Sequence, residues 1–498
     1  MKTYVKGVQL STKLMRLISP LMTLFIAHST WAVGATWISS HGGDMQLETN
    51  WQNGVKPTSS DTIKIALKND KPITLSEDLT AIGGNSSFAA NFELALTNSV
   101  GAARTLSLST FYAGGGSKTV SLTAGTLAFS GSLYMGDMST SYTNDTFIVD
   151  GANTAFSGGT IYVGTKCPNS TFIVQNGATV TGSRLYVGRN QFNESSPSTN
   201  SCFRVTGAGS TATFSYENQT STDSGVFFGG NGLCRIEVLD GGCLSVTNLA
   251  VRRNSYVTIP WYGDNSVLVS GAGSKVVING AGNKGFWLGN ATAPGCSVTV
   301  EDGASWESRG EFKIADGYTT NATFRVASGA SVKHYIYAVN VGTGVNAKNA
   351  ALEIDNGVVE CLNNVIYVKG EGSHISISGA NARLSSPNGD TKFFAGTRLE
   401  VEIPAGGFTG GKPPISSKTF SLDAGAAVNV TLDEEWNNVA HGNYRIVIAE
   451  TENDIKETGF TVNLPVNTDN LVVTRDTTNV KQFAVNVKVK GGMVILLK

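Results

Sequence analysis

The stretch Thr160–Gly188, TIYVGTKCPNSTFIVQNGATVTGSRLYVG, opens on IYVG and closes on LYVG. Between them lie a polar run, the apolar run TFIV and the small-residue turn NGA. A chain that returns to the same words after about two dozen residues is built from a repeating unit that stacks on its neighbours. Three phrases recur in fixed order. The first is an apolar run ending in a small-residue turn: TFIVDGA, TFIVQNGA, CFRVTGA, SVLVSGA, SVTVEDGA, TFRVASGA, HISISGA. The second is a short run such as TAFSGG, ATVTGS or TATFS. The third is LYMG, IYVG, LYVG, VFFGG, FWLG or IYVKG. The turn glycines of the first phrase run from Gly125 through Gly151, Gly177, Gly207, Gly241, Gly271, Gly303, Gly329 and Gly357 to Gly379. Their mean spacing is about 28 residues, shorter than the roughly 40 of a propeller blade.

Each unit holds three short alternating runs, the length and period of strands, and no helical pattern interrupts them. Three short strands cannot bury an apolar face alone. If each unit is one coil, every strand lies parallel on its counterpart in the next coil, about 4.8 Å away. The expected fold is therefore all-β, a right-handed parallel β-helix (β-solenoid) with three short strands per coil and a β-rich C-terminal cap. Alternation sets the faces: in FIV the outer two residues point inward and the middle one outward. Phe147, Val149, Phe172, Val174, Phe203, Val205, Phe324 and Val326 are predicted to stack in one apolar column.

Composition agrees. Glycine accounts for 58 residues, charged residues for only 15%, yet hydrophobic residues reach 41%. This is a turn-rich folded chain and not a disordered polymer. The formal net charge is −1 and basic residues are scattered, so nucleic acid is excluded as a partner.

The front of the chain is a different text. Lys2, Lys6, Lys13 and Arg16 precede the apolar run LISPLMTLFIA, Leu17–Ala27, followed by small residues with cleavage expected after Ala32 or Ala35. Residues 1–35 read as a signal peptide, because the apolar run is too short to span a bilayer and contains Pro20. No later run is long and apolar enough to span, so the mature chain is expected to be exported without a membrane span, to the extracellular space or the outer cell surface. Residues 36–65 read as an N-terminal cap and first strand, with Trp37 and Trp51 covering the open end. Residues 66–426 read as the β-helix. Residues 427–498, with HGNYRIVIAE, LVVTRD and FAVNVKVK, read as the closing cap.

The W…NW…G…P…D pattern of Thr36–Ile65, followed by Gly-Ala turns, resembles bacterial secreted proteins with autotransporter-associated β-strand repeats. GNYRIVIA resembles the end of such passengers, and the similarity runs from about Thr36 to Ala449. The resemblance implies a β-helix of the pectin-lyase-like class. No series of translocator-barrel strands follows, so a passenger-like rod that does not transport itself is expected.

Aligning the third phrase puts Tyr134, Tyr162, Tyr186 and Phe227 at one outward position in successive coils. Trp287 and Tyr367 return there after interruptions at Ala250, Lys313 and Asn340. Such a stripe offers stacking surface to a polysaccharide or cell-surface glycan. The alternative is that the rings stack on one another and only stabilise the sheet. Arg204 with Glu237, and Arg325 with Glu353, occupy the outward middle position of the first phrase in adjacent coils and read as ladder ion pairs. Asp150, Asp240, Asp302 and Asp355 precede turn glycines and read as turn residues. The five histidines form no spaced cluster, no metal-site or nucleophile motif occurs, and no cofactor is called for. Cys202 and Cys234 precede corresponding strands with an offset of about one residue, which leaves a strained disulfide and two buried thiols both open.

Two functions follow from this pattern. The first is a non-catalytic secreted or surface solenoid, adhesin-like or a scaffold, presenting a glycan- or partner-binding face. The second is a polysaccharide lyase or glycoside hydrolase, which needs carboxylates, or carboxylates plus Arg, converging on one face. Isolated pairs favour the first.

Overall fold

A computed structural model describes residues 34–490 except 136–142, 165–166, 189–198, 216–224, 229–231, 247–248, 252–263, 281–284, 291–294, 345 and 469. The described chain is a right-handed parallel β-solenoid with almost no helix. The leader read at 1–35 lies outside the described residues except for Gly34 and Ala35. These two open the strand Gly34–Trp37 and pair with Thr62 and Ile63. Cleavage after Ala32 preserves that pairing; cleavage after Ala35 removes it.

Each rung lays its strands on those of the next. Thr171–Gln175 pairs in parallel with Thr146–Asp150 on one side and Cys202–Thr206 on the other, with Phe147, Phe172 and Phe203 in one register and Val149, Val174 and Val205 in another. The same register continues through Ile236/Val238, Val267/Val269, Val298/Val300, Phe324/Val326, Leu352/Ile354, Ile375/Ile377 and Leu399/Val401. All these side chains are buried. The alternation of apolar and polar residues thus becomes two vertical columns. Burial of each Phe or Val contributes roughly 1.5–3 kcal/mol before the entropy of ordering is counted.

Aromatic side chains gather toward each end of the described stack. At the start, the buried rings of Trp37 and Trp51 meet edge to face with centroids 5.1 Å apart. Their indole N–H groups donate to Asn69 Oδ1 at 3.1 Å and to the Met45 carbonyl at 2.8 Å. Parallel pairing already includes this stretch and runs on to Thr461–Asn463, which lies on Ala427–Leu432. Among the described strands, antiparallel ladders join Gln482–Val489 to Gly442–Thr451 and to Leu471–Asp476, and Gly442–Thr451 also lies parallel on Ile415–Leu422. There the Arg475 guanidinium sits 5.1 Å from the rings of Phe460 and Phe483 and pairs with Glu457.

The corners explain the glycine and asparagine content. The residue two before each first strand takes the left-handed conformation: Asn144, Asn169, Asn200, Leu233, Asp264, Asn321 and Asn349 all have φ between 53° and 67°, as in Asn144 at 62° and Asn349 at 54°. Asn tolerates this conformation, and its amide links rungs: Asn200 Nδ2 donates to Asn169 Oδ1 at 2.7 Å and Asn349 Nδ2 to Asn321 Oδ1 at 3.1 Å. Leu233 is the misfit, at φ 57° and 52% exposed. Leu233→Asn should raise stability by about 1 kcal/mol by relieving that strain. A urea titration showing no gain would mean that this corner relaxes differently. At the other corner the turn residue preceding glycine carries the left-handed conformation in Asn176, Asp240, Asp302, Ser328 and Asn356. The glycines Gly177, Gly241, Gly303 and Gly329 that follow are left-handed as well, whereas Gly357 is not. Its missing side chain matters because a Cβ would lie 2.6 Å from the Val326 carbonyl oxygen.

Just before each first strand runs a buried column that reads Asp145, Ser170, Ser201, Cys234, Asn265, Cys296, Ala322, Ala350 and Ser373. Asp145, Asn265 and Ser373 cap the rung before, whereas Ser170 Oγ donates to the Cys167 carbonyl of its own rung at 3.3 Å. The Lys118 N–H donates to Asp145 Oδ1 at 3.1 Å, the Cys234 N–H to Asn265 Oδ1 at 3.0 Å and the Ala350 N–H to Ser373 Oγ at 3.2 Å. Gly115 and Gly116 also donate to Asp145 Oδ1, at 3.2 and 3.1 Å. Burial outweighs these bonds and raises the Asp145 carboxyl above its ordinary range.

Candidate functional site

The outward position of the third strands forms one column along the rod. Its register runs through Tyr112, Tyr134, Tyr162, Tyr186, Phe227, Ala250, Trp287, Lys313, Asn340, Tyr367 and Lys392. The four tyrosines stack nearly flat. Centroids are 5.2 Å apart for Tyr112–Tyr134, 4.8 Å for Tyr134–Tyr162 and 4.8 Å for Tyr162–Tyr186, with interplanar angles of 18°, 7° and 10°. The ring spacing is the rung spacing, so each inner ring has a neighbour on both faces. Tyr162 and Tyr186 are buried, at 7% and 2% exposure, while Tyr112 and Tyr134 are half-buried. Stacking therefore takes up both faces of Tyr134 and Tyr162 and one face of the buried Tyr186, three rings of the expected sugar strip. Phe227 keeps the backbone register opposite Tyr186.

Tyr112 escaped the sequence reading. Its phrase, FYAG, has the aromatic in the same place as LYMG, but the turn phrase that precedes it is irregular.

Further along, Trp287 is half-buried. Its indole N–H donates to Glu311 Oε2 at 3.1 Å, and Lys313 Nζ lies 5.5 Å from the ring centroid. Lys313 is itself held by Glu311 at 3.1 Å and Asp316 at 3.4 Å. Tyr367 meets Phe394 edge to face at 5.8 Å, and Lys369 Nζ sits 4.5 Å from the Tyr367 ring centroid. The structure thus joins Tyr134, Tyr162 and Tyr186 into one cluster and leaves Trp287 in a separate one, braced by charge.

On the first-strand face Arg204 pairs with Glu237 at 2.6 Å, and Arg235 approaches the same carboxylate at 3.4 Å. Arg325 lies opposite Glu353 in backbone register, but its guanidinium pairs with Asp355 at 2.8 Å. Asp355 is two residues on, on the same face, within reach of the long Arg side chain. Asp150 accepts hydrogen bonds from Gln175 Nε2 at 3.0 Å and Asn176 Nδ2 at 2.7 Å. Asp240 and Asp302 accept from Thr206 Oγ1 at 3.1 Å and Ser270 Oγ at 2.9 Å. The turn aspartates therefore tie rung to rung.

Of the two states left open for Cys202 and Cys234, the structure has the free thiols and not the disulfide. Cys202 lies opposite Arg235, and Cys234 precedes that residue, so the two are out of register by one position. Burial is the largest influence on each thiol, pushing Cys202 up to about 12 and Cys234 up to about 11. Neither is a nucleophile near neutral pH.

One histidine is deeply placed. His334 is fully buried in the column Ile278–Ser308–His334–Cys361. Its Nδ1 is 2.8 Å from Ser308 Oγ, and Nε2 has no hydrogen-bond partner. Burial pulls its pKa down to about 4. Among the described residues no group of three or more His, Cys, Asp or Glu side chains is placed to hold a metal ion, and no helix is long and apolar enough to cross a membrane.

No family model matches the chain, and no curated protein does. Among solved structures, the hyper-glycosylated fragment of TibA produced with TibC matches at 12% identity over 77% of this chain and 98% of that one, with a TM-score of 0.27. A likeness that loose assigns neither family nor activity.

Proposed function

We propose that this protein is an exported, non-catalytic β-solenoid, an adhesin-like or scaffold rod that presents a glycan- or partner-binding face at the cell surface or beyond it. The observation that supports this reading is how outward charge is used. Arg204–Glu237, Lys275–Glu307, Arg325–Asp355, Lys333–Glu360 and Lys392–Asp423 are ion pairs between neighbouring rungs. Charges arranged this way brace the stack. A lyase or hydrolase needs them turned toward a common substrate position.

On this reading the stacked tyrosine column stiffens the rod, and sugar contact along the column falls on Trp287 and on the ring edge of half-buried Tyr134, whose two faces are taken by Tyr112 and Tyr162. Incubation of the purified protein with a panel of polysaccharides should yield neither unsaturated products nor new reducing ends. Release of either would establish the enzyme reading in its place. On a glycan array, the Tyr162→Ala, Tyr186→Ala double variant should bind as the parent does while melting at a lower temperature.

A further inference from the structure

A second surface lies outside the aromatic column. Ile336 and Tyr337 are adjacent and stand in water at 47% and 36% exposure. With Tyr335 they make the turn between the second strand Ser331–His334 and the third strand Val339–Val341. Such a turn would ordinarily be polar. Here its backbone is held from the next rung, where Asn363 Nδ2 donates to the Tyr335 carbonyl at 2.9 Å and Asn364 Nδ2 to the Ile336 carbonyl at 3.0 Å. One rung further the device repeats, with Asn388 Nδ2 donating to the Leu362 carbonyl at 2.8 Å. From the rung before, the Arg309 guanidinium lies 5.5 Å from the Tyr335 ring centroid. Arg309 is exposed and makes no ion pair among the described residues. The corner therefore combines an open aromatic ring, an exposed branched aliphatic, a cation that rests on Tyr335 without an ion pair among the described residues, and exposed amides, all on a backbone fixed in advance.

We propose that this corner binds an acetamido sugar, an inference that rests on reading the rod as glycan-binding. The Tyr337 ring takes the C–H face of the sugar. Ile336 takes the acetyl methyl group. Arg309 donates to the acetamido carbonyl, and the side-chain carbonyl oxygen of Asn363, in the next rung, accepts from a ring hydroxyl. Size favours this occupant over a protein. A stable protein interface covers about 800 Å² on each partner, far more than a tip of three residues supplies, whereas one sugar needs only a ring and a few polar groups. Preorganisation by the amide ladder lowers the ordering cost of binding.

The test is calorimetry on the full chain with three probes: N-acetylglucosamine oligomers, the same oligomers deacetylated, and cello-oligosaccharides. Only the acetylated oligomer should bind. Tyr337→Ala should weaken it about threefold to tenfold. Ile336→Ser should erase the preference for the acetylated form. Both variants should melt as the parent does, since neither side chain is in the core. If both variants bind the acetylated oligomer like the parent, this site is wrong, although glycan binding stands. If no oligosaccharide binds, and a glycan array is also blank, both readings fall. Loss of a protein partner on Ile336→Ser without any sugar bound overturns the proposal in favour of a protein interface.

Discussion

Phe172→Ala is expected to lower stability by about 3–5 kcal/mol, the range for emptying a buried aromatic site. Phe172 sits between Phe147 and Phe203, with centroids 5.3 and 5.5 Å away and interplanar angles of 11° and 21°, and meets Phe156 edge to face at 5.5 Å. Alanine removes the middle ring from that stack. The backbone ladders on either side hold the rungs apart, so the space cannot close by collapse. In a solenoid each rung contacts only its neighbours, so the weakened rung should also uncouple the two parts of the rod. Chemical denaturation of the variant should show an earlier transition, separated from that of the remainder. A loss below about 1 kcal/mol with one unchanged transition would mean that Phe172 is not stacked in this column.

The second large effect is acid destabilisation centred on His334. The imidazole is fully buried, accepts from or donates to Ser308 Oγ at 2.8 Å and packs 5.6 Å from the Phe312 ring. Burial holds its folded-state pKa at about 4, against about 6.5 for an unfolded chain. The folded protein thus binds fewer protons than the unfolded chain between these values. The stabilisation is fully present above pH about 6.5 and is lost as pH falls through about 4. Its size is on the order of 3 kcal/mol. Cys361, next in the column, has its thiol pushed up to about 11 and stays neutral throughout. Asp476, held down to about 2, is lost only at lower pH. His334→Gln retains a polar side chain beside Ser308 but does not titrate. Between pH 7 and pH 4 the parent should lose about 3 kcal/mol more than this variant, measured by urea unfolding at each pH. Parallel pH curves for the two would show that the imidazole is not the acid-sensitive element.

Tyr112 and the Arg325 pair show where sequence reading stopped. The phrase around Tyr112 carries the aromatic but follows an irregular turn, Asn98–Gly101, that does not align with the later ones; coordinates supply the register through the Phe111–Leu133 and Tyr112–Tyr134 pairing. Arg325 lies opposite Glu353 in backbone register, as the phrase alignment predicts, yet its side-chain length lets it pair with Asp355. The capping column from Asp145 to Ser373 had no visible signal at all. Its members are Asp, Ser, Cys, Asn and Ala, and what they share is a buried place at a corner, not a residue type.

What sequence alone determined is the period, the strand faces and the apolar columns. These rest on alternation within a strand and on turn residues that tolerate left-handed backbone, both properties of a few adjacent residues. Tertiary structure decided whether an outward ring is open or covered, which carboxylate an arginine meets, and that two thiols miss each other. Each of those depends on contact between rungs, where a shift of one residue changes the partner and the stacking of like rings removes the surface that a single ring would offer.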